Sequence, residues 1–209
     1  MSGLAHRRAA GRNDLALTGG EYRALARLST PERIQHFLDD DVVSNLEEDG
    51  ETILSVRQVL HQRRAHCIEA AFVAACAFWV HGKVPLVMHL DCDTCDYPHV
   101  VALFSDRGCW GAVSKSRTSG LRFRDPVYRD LRELAMSYFP TYTDKRGRRT
   151  LRTYSVAFDM RRIAAPLWVT SDGPCQRAHD RLAALRHYPL ISRRHEWMTL
   201  RPLRYPVTH

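Results

Sequence analysis

Apolar and polar residues change period several times along the chain, and each change marks an element. In STPERIQHFLDD, Ile34, Phe37 and Leu38 recur at helical spacing behind Thr30 at the N-cap position and Pro31 at the first helical position, which predicts a helix. EEDGE at 47–51 reads as a polar turn, after which Ser55 caps a further helix carrying Val56, Val59 and Leu60. CIEAAFVAACAFWVHG is alanine-rich and apolar on nearly all sides, with Gly82 where a helix C-cap belongs, and predicts a buried central helix. Three strand-like runs follow at 85–92, 99–105 and 109–116, the last two joined by a turn at Asp106-Arg107-Gly108. They read as a meander packed on that helix.

Beyond the meander, Asp125 and Pro126 are expected to open a helix over PVYRDLRELAMSYF, with Val127, Leu131, Leu134 and Tyr138 on related faces. TLRTYSVAFDM reads as a strand, and PCQRAHDRLAALRHY as a helix announced by Ser171, Asp172 and Gly173. No repeat, low-complexity tract or long Pro/Gly/Ser linker divides the chain. The expectation is one α+β domain over 1–209, with a core at about 55–160, an N-terminal helical extension at 1–54 and a C-terminal extension at 161–209.

Composition narrows the class. At 209 residues with 44% hydrophobic, the chain can bury a core without covalent staples. Its longest apolar run, Ala70 to Val80, is about half of the roughly 20 residues a spanning helix needs, so no membrane anchor is expected. The N-terminus has basic residues but no apolar block before a small-residue cleavage site, so no secretory signal is read there and a cytoplasmic location is expected. Six cysteines, at 67, 76, 92, 95, 109 and 175, are too sparse and uneven for a disulfide framework. The net charge of +8 comes from arginine, since only Lys83, Lys115 and Lys145 are lysines. The arginines are scattered and form no stripe beyond RGRR at 146–149, which argues for a solvated basic surface and against a nucleic-acid partner.

Candidate chemistry concentrates at Cys67. It stands where the polar segment HQRRAH meets the first turn of the central helix, and unpaired amides and the helix dipole favour a thiolate there. His99 opens an apolar strand further on, so a helix and strand folding back would set an imidazole beside the sulfur as a nucleophile and base pair. His66, directly before the cysteine, is expected to point away from it, and Glu69 to complement the dipole. Cys76 and the aromatic set Phe72, Phe78 and Trp79 read as core.

The order of Cys67, Ala70, Ala71, Gly82, Pro85, PLVMHL, His99 and Trp110 resembles the transglutaminase-like core of the papain-like cysteine enzymes. The resemblance spans residues 66 to 116, about a quarter of the chain. It implies an α+β fold with the central helix packed on an antiparallel sheet, and a mechanism in which His99 takes the thiol proton and Cys67 attacks an amide or ester carbonyl. The resulting acyl group would pass to water or an amine, with no cofactor and no metal. Peptides or small amides are the implied substrates. The oxyanion would be held by backbone amides including that of Cys67, with Gln62 as a side-chain donor and Trp110 and Arg122 at the substrate.

The sequence departs from that pattern at one position. Family members commonly carry an Asp four residues after the Trp, and here Ser114 stands there. A serine hydroxyl can accept the imidazole N–H but, being neutral, stabilises an imidazolium less than a carboxylate does. Asp91 and Asp96 are alternative partners for His99, and a catalytically silent module that binds a peptide or protein is the alternative function. Two other readings compete. His89, Cys92, Cys95 and His99 have a spacing zinc would accept, although Asp91, Asp93 and Asp96 crowd the same loop. Arg122, Arg124 and Arg129 either line the mouth of a cleft or support a helix as surface residues. Oligomeric state is not legible.

Overall fold

The computed structural model describes residues 9–46, 52–94 and 96–199. The EEDGE turn lies outside them, as does Cys95. Helices α1 (Gly19–Arg27) and α2 (Pro31–Asp40) lead into a short strand, β1 (Val43–Ser44). Then come α3 (Val56–Gln62), β2 (Arg64–Ala65) and α4 (Cys67–Val80). The meander is β3 (Leu86–Cys92), β4 (His99–Asp106) and β5 (Cys109–Val113), followed by β6 (Arg124–Tyr128) and α5 (Leu131–Tyr138). The chain continues through β7 (Leu151–Ser155), β8 (Phe158–Asp159), α6 (Gln176–Ala183), β9 (His187–Pro189) and α7 (Arg193–Thr199).

The protein is an α+β chain built around an antiparallel seven-stranded sheet in the order β6-β5-β4-β3-β7-β9, with β8 also pairing β3. β1 and β2 form a separate parallel pair. The central strands are apolar on both faces because both faces are covered. Val87, Val100, Ala102, Phe104 and Val113 pack with α4, while Leu86, Met88, Leu90, Val101 and Leu103 pack with Leu134 and Tyr138 of α5. Apart from Trp79, every residue of α4 from Ile68 onward is buried, and its alanines let α1, α2, α3 and β4 approach closely. From the C-terminal side, Trp168 stacks on Trp79 with ring centroids 6.2 Å apart and meets Phe72 at 5.9 Å.

The local signals for α2, α3 and the meander operate through their named groups. Thr30 Oγ1 accepts from Arg33 N, and Ser55 forms a capping box with Gln58. Asp106 pairs with Cys109 around a two-residue turn in which Arg107 and Gly108 both take positive φ, 47° and 84°. Gly82, at φ 74°, follows the last turn of α4.

One expected helix begins later than its pattern suggests. Residues 124–128 are not helical but form the edge strand β6, with Trp110 opposite Tyr128 and Ala112 opposite Arg124. Asp130, not Asp125, caps α5 through Glu133 N. An edge strand tolerates Pro126, whose missing N–H has no ladder partner to disappoint, and Val127 is left 64% exposed. TLRTYSVAFDM likewise splits into β7 and β8, which meet opposite ends of β3. Helix α1, absent from the pattern reading, has a capping box between Thr18 and Glu21. No helix among the described residues is long and apolar enough to cross a membrane.

Candidate active site

The end of β2 delivers the chain to α4 in an extended conformation at His66 (φ −99°, ψ −171°), so Cys67 becomes the first helical residue. Its N–H is among the four that no helical carbonyl can satisfy, and the dipole's positive end lies there. Cys67 is half-buried in a cleft of about 320 Å³ whose walls include Ala65, His66, Tyr97, Pro98, His99 and Leu121. The Pro98 carbonyl oxygen is 3.9 Å from Sγ.

His99 reaches the sulfur from the start of β4. The preceding loop is tied down on both sides: Thr150 Oγ1 donates to Asp96, the Tyr142 hydroxyl to the Tyr97 carbonyl, and Asp93 N to Thr150 O. The imidazole is buried, edge-on to Tyr138 and Tyr142. Its Nε2 stands 2.9 Å from Ser114 Oγ and 3.1 Å from the Leu121 carbonyl oxygen. Because the Ser114 hydroxyl donates to that same carbonyl at 2.7 Å, its oxygen accepts from Nε2–H. That fixes the tautomer and leaves the lone pair on Nδ1, in a ring that lines the same cleft as the thiol.

Ser114 is itself clamped from the other end of the chain. Gln35 of α2 donates Nε2 to Ser114 O at 2.9 Å and accepts Ser114 N at 3.2 Å. This two-bond bridge is a positioning feature that sequence pattern did not expose, since Gln35 sits unremarked on an amphipathic helix. Arg122 has a scaffold role as well. Its guanidinium binds Asp39 at 3.2 Å and Ser116 O at 2.8 Å, closing the loop that presents Leu121 O to His99.

His66 does not turn away from the cysteine as expected. An N-cap residue lies outside the helix, so helical rotation does not set its direction, and here the side chain lines the same cleft as Cys67. Nε2 is 2.9 Å from Thr52 O and 3.4 Å from Glu69 Oε1. The signal was present as His-x-x-Glu, a capping-box spacing, with Glu69 Oε2 accepting His66 N at 2.8 Å. Glu69 is fully buried, and its carboxylate also receives Leu54 N at 2.7 Å and Thr52 Oγ1 at 2.8 Å.

These contacts decide the protonation state of the thiol. Burial works against a thiolate, but hydrogen bonds to His66 and His99, reinforced by their charges, hold Cys67 down at about 5. Burial also works against a charged His66. The hydrogen bond and charge of Cys67, with Glu69 behind the ring, outweigh it and raise His66 to about 9. Elsewhere burial pushes Cys76 up, and raises Cys92 and Cys175 to about 12 each.

The remaining candidates lie apart from the sulfur. Gln62 is exposed at the end of α3, where its Oε1 accepts from Arg64 Nε at 2.9 Å. Trp110 pairs with Tyr128 and lines a different groove, with Leu131, Tyr154 and Tyr188. Arg124 lies over the Tyr138 ring at 4.0 Å and Arg129 is exposed beside Glu133. Asp91 Oδ1 accepts Cys92 N, and Asp96 serves Thr150, so neither orients His99. Lys115 reaches the cleft wall, but its ammonium is held by the Leu38 and Val42 carbonyls, each at 2.6 Å.

The zinc spacing is not assembled among the described residues. His89 pairs in register with Val100 and His99 with Leu90, so the two imidazoles lie on opposite faces of the sheet. His89 Nδ1 is 2.8 Å from His187 Nε2 instead, and no group of three metal-binding side chains occurs among the described residues.

Comparison of the chain with protein-family models and with curated proteins finds no match to either.

Proposed function

We propose that the protein is a transglutaminase-like, papain-like cysteine enzyme that hydrolyses or transfers the acyl group of an amide. The observation that carries this reading is a half-buried thiol at a helix N-terminus, in an open cleft, held at about 5 by two imidazoles. Cys67 gives its thiol proton to an imidazole of the site and Sγ attacks the carbonyl, whose oxyanion is met by the main-chain N–H of Cys67; the C–N bond then breaks, the amine leaves with that proton, and an acyl-enzyme remains. Water or a second amine then takes the acyl group, with His99 as base and Ser114 holding its tautomer. The cleft's open mouth and the 86% exposed Tyr97 at its rim suit a peptide or small amide.

A second reading, a silent module that binds a peptide or protein, is favoured by one observation: the partner of His99 is a neutral hydroxyl and not a carboxylate. Incubation with p-nitrophenyl acetate separates the two. The enzyme reading expects mass spectrometry to find acetyl on Cys67, turnover in the wild type, and loss of turnover in His99→Ala. Acetylation spread evenly over the cysteines, without turnover, leaves the binding module.

A further inference from the structure

The acid that the resemblance places beside His99 is absent, and the only buried carboxylate facing an imidazole of the site among the described residues belongs to Glu69, beside His66. The two histidines are therefore unequal. His99 is held by neutral groups, Ser114 Oγ and Leu121 O. His66 is held by a carbonyl, Thr52 O at 2.9 Å, and by a carboxylate, Glu69 Oε1 at 3.4 Å, both on Nε2. Nε2 carries the hydrogen that Thr52 O accepts, so Nδ1 holds the lone pair of a ring that lines the same cleft as Cys67.

From this arrangement, and resting on the reading of Cys67 as nucleophile, we infer that His66 is the residue that takes the thiol proton in the resting protein, with Glu69 as its counter-ion, leaving His99 to serve the incoming acyl acceptor. The S–H bond breaks, its electron pair stays on Sγ, and the proton adds to His66 Nδ1, so no other reagent is consumed. Cys67 and Glu69 both favour the charge of the His66 ring. Asn45, whose Nδ2 lies 3.2 Å from Glu69 Oε2, is neutral. His66 raised to about 9 and Cys67 lowered to about 5 have the directions such a pair requires.

The division of labour accounts for the serine. The carboxylate stands behind His66, whereas only neutral groups, Ser114 Oγ and Leu121 O, stand behind His99. Glu69 also fixes the ring's approach by accepting His66 N, so a single buried carboxylate sets both the orientation and the charge of the imidazole.

The test is the rate of Cys67 alkylation by iodoacetamide between pH 4 and 10 in the wild type, His66→Gln and His99→Gln. Glutamine keeps a donor for Thr52 O but carries no charge. The wild type is expected to reach half its maximal rate near pH 5. His66→Gln is expected to lose at least about 10-fold at pH 6.5 and to recover at pH 10, where every thiol ionises. The loss in His99→Gln is expected to be smaller. An equal or larger loss in His99→Gln, or an unchanged profile in His66→Gln, overturns the inference. Selective acetylation of Cys67 with either of those outcomes would leave the enzyme reading standing.

A measurement on the unsubstituted protein covers the case in which His66→Gln does not fold. In 15N-labelled protein, the His66 ring is expected to stay doubly protonated to near pH 9 and to titrate lower once Cys67 is alkylated. A ring that titrates near 6.5 before alkylation overturns the inference.

Discussion

The Ser114 hydroxyl stands 2.9 Å from His99 Nε2 and passes its own proton to the Leu121 carbonyl oxygen at 2.7 Å, so the serine is an acceptor toward the histidine and a donor toward the loop. Removing it should free the ring to rotate. Ser114→Ala is expected to lower kcat/KM for an activated ester by on the order of 10²-fold with little change in Cys67 alkylation. Steady-state kinetics beside the alkylation rate checks this. Ser114→Asp is not expected to restore activity, because its carboxylate would face the carbonyl oxygens of Leu121 and Arg122, which Ser114 Oγ approaches to 2.7 and 3.4 Å. Urea unfolding should show Ser114→Asp to be less stable than Ser114→Ala.

His89 gives the protein an acid-sensitive element away from the cleft. His187 Nδ1 donates to Leu185 O at 2.7 Å, and its Nε2 lies 2.8 Å from His89 Nδ1. Burial, with the nearby His187, lowers His89 to about 4. A folded-state value below the unfolded 6.5 means the unfolded chain binds the proton first, so the contribution is complete above 6.5 and is lost as pH falls through 4. The loss over that window should reach ~3 kcal/mol. Urea titrations at pH 7 and pH 4 measure it, and His89→Gln should show a shallower fall between the same two pH values.

Gly111 holds β5 close to its neighbours. A Cβ there would meet the Phe104 ring and come within 2.8 Å of the Arg124 carbonyl oxygen. The obstacle on one side is main chain, which cannot move aside without breaking the β5–β6 pairing. Gly111→Ala is expected to cost roughly 1–3 kcal/mol, read as a lowered midpoint of urea unfolding. Because Ser114 directly follows the end of that strand, a loss of ester turnover is expected to accompany it.

Much of the architecture was legible because its signals are local. Thr30 with Pro31, and Ser55 with Gln58, mark helix starts that the chain obeys. The alanine-rich, all-apolar run from Ala70 admits no placement but the interior, and Arg107-Gly108 can hardly be anything but a tight turn. Where a local signal was ambiguous, tertiary pairing decided. Asp125-Pro126 opens a helix as readily as an edge strand, and the chain takes the strand because β5 offers a ladder at Trp110 and Ala112.

At the site, the sequence by itself determined that Cys67 opens a buried helix and that His99 opens a strand, since both follow from capping and periodicity over a few residues. Only the tertiary structure decided what surrounds them. Glu69 and His66 are joined by a capping box, yet their bearing on the thiol depends on Thr52 and Leu54, which arrive from outside the helix. Gln35 reaches Ser114 across 79 positions. Hydrogen bonds between distant segments leave no period in a sequence, because either partner alone is an ordinary polar residue until the core brings the two within 3 Å of one another.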